Sequence, residues 1–302
     1  MLTDLYRNEL SKPVDAQVRG FAADVAARHA GALGVLFYGS CLREARLDGL
    51  MLDFYLIVDS YERAYDRAWL ARANALVPPN VFHARWQGLV AKYAVLSLDD
   101  LQRECRGETR SVSVWARFCQ PARLAWGAGL PVADRIISAV ANSPVTLMNA
   151  ARPLLPQETD MRSLWSSAFA LTYAAELRAE RKERPGAVFD AAPDWYRSIT
   201  AAALTEAKLD AEISGTLIRF RDAVDRRAGE RAWARRRRNG KLISVARLAK
   251  ATATFDGGID YLAWKINRHA GSDIRISDWQ RRHPILAGIT LLPQLLKSGA
   301  VK

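Results

Sequence analysis

The sequence predicts an α+β protein in two parts: a small mixed sheet with covering helices over residues 1–128, then a mainly helical region over 129–302. Helical and strand periodicities alternate through the first third, as in a sheet wrapped by helices. Beyond about residue 131 the strand signals fade, and Ala, Leu, Arg and Glu dominate. Between the two, Gly127-Ala128-Gly129-Leu130-Pro131 interrupts both regular structures and marks the boundary.

Each element follows from its own pattern. Residues 14–29 carry Val18, Phe21, Val25 and Ala26 at helical spacing. Gly34-Val35-Leu36-Phe37-Tyr38 reads as a short buried strand that breaks at Gly39-Ser40, and residues 51–58 form a second apolar run. Residues 61–75 are predicted helical and 90–96 strand-like, with Ser97-Leu98-Asp99-Asp100 supplying an N-cap to the next helix. Three further helices are expected over 161–184, 194–213 and 213–227.

The length of 302 residues suits about two domains at ~100–200 residues each. Charged residues are 25% of the chain, which excludes a disordered or collagen-like class. Lys and Arg number 44 against 32 Asp and Glu, and the surplus of +12 calls for a polyanionic partner. Cys41, Cys105 and Cys119 are an odd set without a CxxC pair, so reduced thiols are expected rather than a disulfide framework or zinc site. Neither a leader peptide nor an apolar run of the roughly 20 residues needed to span a bilayer is evident.

The chemistry concentrates in Leu36-Phe37-Tyr38-Gly39-Ser40 and Met51-Leu52-Asp53-Phe54-Tyr55. A strand ending in Gly-Ser, backed by a helix, offers backbone N–H groups and a hydroxyl to a triphosphate. An acid on the adjacent strand suits Mg²⁺ held against the same phosphates. Strand, Gly-Ser and Asp53 together resemble the nucleotidyltransferase superfold, which gives the predicted sheet its expected form. That superfold usually carries two acids two residues apart, whereas Met51 and Tyr55 flank Asp53 here.

Four segments in order narrow the resemblance. Tyr38-Gly39-Ser40 with Met51-Leu52-Asp53-Phe54, Lys92-Tyr93-Ala94-Val95-Leu96-Ser97, Ala116-Arg117-Phe118-Cys119-Gln120-Pro121 and Ala170-Leu171-Thr172-Tyr173-Ala174-Ala175-Glu176-Leu177-Arg178 resemble motifs of the mitochondrial-type CDP-diacylglycerol synthases. These are the translocator assembly and maintenance family of phosphatidate cytidylyltransferases. The resemblance implies transfer of CMP from CTP to phosphatidic acid or a related lipid phosphate, with Mg²⁺, releasing pyrophosphate. It implies catalytic roles for Asp53, Ser40 and Lys92, and nucleotide contacts from Gly39, Ser40, Lys92 and Arg117. Asp53 and Glu176 would hold the metal, while Tyr173 and Arg178 would face the lipid phosphate. Tyr173 and Glu176, three apart, are expected on one helix face. The chain departs from the family at Gln120, Ala175 and Glu176, and residues 60–76 lack the family's histidines.

A lipid acceptor requires contact with an anionic membrane surface, and the expected location is cytoplasmic, peripheral on the inner face of the cell membrane. Residues 231–241 carry six cationic side chains, Arg235, Arg236, Arg237 and Arg238 among them, together with Trp233. Each basic residue near such a surface is worth about 1 kcal/mol. The apolar stretch over 284–297 is expected to lie in the interface. Two other readings stand beside this one: an inactive nucleotidyltransferase fold binding nucleic acid through the arginine run, which is the less favoured partner, and a soluble nucleotidyltransferase for a small molecule or tRNA.

Overall fold

A computed structural model describes residues 1–44, 47, 50–176, 186–254, 267 and 275–279. Helices α1 (Leu2–Leu10) and α2 (Ala16–Ala27) precede strand β1 (Ala32–Tyr38), and α3 (Ser40–Glu44) comes before β2 (Met51–Val58). Then follow α4 (Tyr61–Ala64), α5 (Ala68–Leu76), β3 (Asn80–Trp86), β4 (Leu89–Ser97), α6 (Leu98–Cys105), α7 (Ser113–Phe118) and β5 (Arg123–Gly127). The second half contains α8 (Leu130–Val140), α9 (Asn142–Ala151), β6 (Glu158–Asp160), α10 (Met161–Ala174), α11 (Ala187–Asp190), α12 (Pro193–Glu206), β7 (Ala211–Ser214), β8 (Leu217–Phe220) and α13 (Arg226–Thr254).

The first sheet has the order β3-β4-β2-β1-β5. Its central pair, β2 and β4, is parallel, and the other pairs are antiparallel. Strands buried on both faces read as near-continuous apolar runs, which is why β1, β2 and β4 stand out in the sequence. This is an α+β architecture with a mixed sheet.

Two apolar layers hold the sheet. On one face α2 buries Val18, Phe21, Ala22 and Val25 against Val35, Phe37 and Phe54. Asp15 starts that helix by accepting the Gln17 N–H at 2.7 Å. On the other face Leu36, Tyr38, Tyr55, Ile57 and Leu96 meet α1, α6, α7 and α8, and this layer runs without a break into Trp165 and Tyr196 of the helical half. Ser97 caps α6 through the Asp100 N–H at 3.1 Å, as its sequence position predicts.

Several expectations are corrected. Residues 61–75 form two helices rather than one, because Tyr65 is extended between them. The helix expected over 161–184 ends at Ala174. Over 213–227 there is no continuous helix: β7 and β8 form a hairpin around Gly215, whose φ is +61°, and β6 completes a sheet of order β6-β8-β7. Ile218 and Phe220 alternate inward against exposed Leu217 and Arg219, a period of two that the surrounding Ala and Arg mask. Strands β3 and β5 were not foreseen either. The β3–β4 turn is the two-residue Gln87-Gly88, both with positive φ, where Asn or Asp would have been the usual signal.

The arginine run lies in α13, which packs against β3 and the turn that follows α9. Trp233, expected at an interface, is instead fully buried: its Nε1 donates to the Ala150 carbonyl at 2.8 Å, and its ring meets Trp115 edge-on. Further along, Arg247 donates to the Pro78 carbonyl at 2.7 Å and the Ser113 hydroxyl at 2.8 Å. The Lys250 ammonium donates to the carbonyls of Val77 and Pro79. Burial, with Arg247 beside it, pushes the Lys250 pKa down to about 7.

Gly240 is where α13 passes the end of α10, so closely that a Cβ there overlaps the Ala175 carbonyl oxygen. Alanine normally gains about 1 kcal/mol over glycine inside a helix. Here the sign reverses: Gly240→Ala is expected to lower stability by about 1–3 kcal/mol, as overpacking does. Urea unfolding measures it, and an unchanged or raised midpoint contradicts the close crossing.

Candidate active site

Strand register assembles the site. Tyr38 of β1 pairs with Asp53 of β2, Asp53 with Lys92 of β4, and Lys92 with His83 of β3. Residues directly opposite on neighbouring strands share a face, so these four form one row across the sheet. The row lies at the margin of the apolar layer that contains Tyr38 and Tyr55. Asp53 is the polar interruption in an otherwise apolar β2, and Lys92 holds that place in β4.

Lys92 Nζ lies 2.9 Å from Asp53 Oδ1. The ion pair is partly open to solvent, with Lys92 44% and Asp53 20% exposed. Its worth to stability is therefore ~1 kcal/mol or less. His83 sits opposite Lys92; burial first, and the Lys92 charge second, push its pKa down to about 4, so the imidazole is neutral at physiological pH.

Gly39 ends β1 with φ +92°, and a Cβ there falls 2.7 Å from Asp53 Oδ2. The carboxylate thus rests on a bare backbone. Gly39→Ala combines a left-handed conformation with that collision. It is expected to cost about 1–3 kcal/mol of stability and to displace Asp53. Thermal unfolding and turnover measured on one preparation test this; wild-type values in both contradict the arrangement. Ser40 opens α3, which spans only five residues, so its hydroxyl and the adjacent N–H groups carry more of any anion contact than a helix dipole does.

Arg117, on α7, approaches from the layer above. Its guanidinium lies over the Tyr38 ring, 4.8 Å from the centroid. Its Nε is enclosed and makes no hydrogen bond, and no ion pair reaches this side chain among the described residues. Burial alone pulls its pKa down, but Tyr38, Tyr55, Glu176 and Asp53 outweigh burial and hold it above the ordinary value. Burial keeps the two tyrosine hydroxyls protonated, so the charged groups facing Arg117 at neutral pH are Glu176 and Asp53.

Glu176 lies in the bend just past α10, its N–H bonded to the Tyr173 carbonyl at 3.3 Å. It therefore does not share a helix face with Tyr173 as the spacing suggested. Tyr173 is half-buried and stacks on Phe169 at 6.3 Å. Arg178 and the apolar stretch over 284–297 lie outside the described residues. Tyr55, at a position where a second acid would stand, is buried against Phe118 and Tyr38 at 5.2 and 5.4 Å.

Gly39, Ser40, Asp53 and Lys92 thus come together with Arg117, and Glu176 reaches the same charges from the helical half. Arg235, Arg236, Arg237 and Arg238 belong to α13. Sequence reasoning missed Tyr38 as the seat of Arg117 and His83 as the neighbour of Lys92; pairing β3 with β4 would have found the second.

The donors present fit Mg²⁺ in one form. This ion prefers oxygen, keeps several waters and takes one or two carboxylates along with substrate phosphates. Asp53 offers such a carboxylate. Among the described residues no three of His, Cys, Asp and Glu converge.

No family model matches the chain, and no curated protein does. Among solved structures, a nucleotidyltransferase-like protein from Exiguobacterium sibiricum is similar over 93% of this chain and 90% of that chain, at 12% identity and a TM-score of 0.27.

Proposed function

We propose that this chain is a nucleotidyltransferase acting at the Asp53–Lys92 row. The observation that supports this best is the convergence of an open carboxylate–ammonium pair, a bare glycine backbone and a buried guanidinium. Such an arrangement suits a polyphosphate with an oxygen-loving cation. Lys92 and Arg117 meet the phosphate oxygens, since charge-assisted donors are the strong ones and the guanidinium fork matches phosphate. Ser40 donates its hydroxyl, and Gly39 lets the backbone come close. Asp53, with Glu176 as the second carboxylate, would hold Mg²⁺, which when bound neutralises charge on the triphosphate. The acceptor oxygen attacks the α-phosphorus, the bond to the β-phosphate bridging oxygen breaks, and pyrophosphate leaves toward Lys92 and Arg117.

The finer reading is a cytidylyltransferase moving CMP from CTP to phosphatidic acid or a related lipid phosphate. The four ordered motifs support it. On this reading the protein works as a peripheral protein on the inner face of the cell membrane, and part of α13 faces anionic lipid. Consecutive helical residues stand about 100° apart, so a planar surface meets only part of Arg235, Arg236, Arg237 and Arg238. Among the described residues no helix is long and apolar enough to cross a membrane.

Pyrophosphate release tests the proposal. The protein is supplied with each nucleoside triphosphate in turn, with Mg²⁺, with and without vesicles containing phosphatidic acid. Release is expected with CTP when the vesicles are present. Release with a water-soluble acceptor instead overturns the lipid reading, and no release with any acceptor overturns nucleotidyl transfer.

A further inference from the structure

We infer that a cleft between the loop after α6, helix α9 and helix α13 is a second anion site, built for a small molecule bearing two or three phosphates. Its volume is about 540 Å³, within the range of small-ligand pockets. Arg106 and Arg110 line it from the loop, Arg235 and Arg236 from α13, and Asn149 and Asn239 add amides. No Asp or Glu lines it. None of the four arginines forms an ion pair among the described residues, whereas Arg28, Arg162, Arg197 and Arg219 elsewhere each hold a carboxylate. Cations converging on a concave wall without a counterion repel one another, and an anion in the cleft relieves this.

The helix is phased for the purpose. Ala232, Arg235, Arg236 and Asn239 recur at intervals of three and four, which puts them on one face of α13. Arg236 lies over the Trp233 ring, 5.1 Å from its centroid, and this fixes the plane of its fork. Burial, and then the Arg235 charge, lower its pKa. Guanidinium forks and amides favour phosphate oxygens. Four cations match the charge of a di- or triphosphate, and a concave cleft admits such a molecule where a flat bilayer reaches only the rim.

The cleft is separate from the Asp53 row. Trp115 lines it, while Arg117, two residues on along α7 and so about 200° around, points to Tyr38. The inference therefore does not rest on nucleotidyl transfer.

Calorimetric titration with inorganic tripolyphosphate, at fixed salt and without Mg²⁺, tests it. Arg110 and Arg235 are exposed and form no ion pair among the described residues, so Arg110→Ser with Arg235→Ser leaves packing intact, which circular dichroism checks. The double variant is expected to lose at least about tenfold in affinity, and Lys92→Ala to keep the cleft isotherm. Should the serine pair misfold, the lysine pair (R110K with R235K) is expected to fold and bind with intermediate affinity. Wild-type titration by the double variant, loss of binding in Lys92→Ala, or no saturable binding overturns the proposal. So does a defect of the double variant confined to anionic vesicles or to RNA.

Discussion

Asp53→Asn is expected to lower turnover by about 10²- to 10³-fold, the scale on which removal of one preorganised charge-stabilising group acts, while thermal stability hardly moves. The two halves of this result have different causes. Its pairing with Lys92 is partly solvated, so its loss costs ~1 kcal/mol or less. The amide keeps the size and the contact with Gly39 but not the charge, and an amide oxygen is a far poorer partner for a cation beside phosphates. A structural acid would behave in the opposite way, with stability falling and activity falling only in proportion. Steady-state rates and a melting curve on the same preparation separate the two, and retained turnover removes Asp53 from the chemistry.

Arg117→Met is expected to raise the apparent KM for the nucleotide by about ten- to hundredfold, matching the 1.5–3 kcal/mol of a hydrogen bond to a charged group. Stability is expected to change by no more than about 1 kcal/mol. Among the described residues no ion pair reaches it and its Nε makes no hydrogen bond, so what it loses is the contact over the Tyr38 ring and the longer-range attraction of Glu176 and Asp53. That contact is worth about 0.5–2 kcal/mol, and relief of burying a cation offsets it. A folded protein keeps an unpaired charge beneath its surface when a ligand completes it, so stability and function part company at this residue. A large loss of stability with unchanged KM means that Arg117 is a packing residue.

How far the site could be read in advance depended on where each residue's partner comes from. Gly39 and Ser40 directly follow the apolar run of β1, Asp53 interrupts the apolar run of β2 and Lys92 that of β4; local pattern suffices for all four. Arg117 was identified by motif, but its seat on Tyr38 depends on α7 packing over β1, a tertiary fact. Glu176 illustrates the reverse case. Helical spacing implied a shared face with Tyr173, yet α10 ends at Ala174, where the backbone of α13 crosses at Gly240. Strands β3 and β5 hid for a compositional reason: they lie at the sheet edges and carry His83, Arg85 and Arg123 among their apolar residues. Trp233, set among arginines, suggested an interface because charge dominates its surroundings in sequence. In the fold, helical phase turns it inward to Trp115 while Arg235 and Arg236 turn toward the cleft.

Nucleotidyl transfer moves the α-phosphate of a nucleoside triphosphate while pyrophosphate leaves. Two preparations of CTP, labelled at the α- or at the γ-phosphate, incubated with Mg²⁺ and phosphatidic acid vesicles, test this directly. The α-label is expected to enter the lipid, the γ-label to appear only in pyrophosphate, and both signals to vanish in Asp53→Asn. Gamma-label in the lipid, or α-label transfer undiminished in Asp53→Asn, would contradict it.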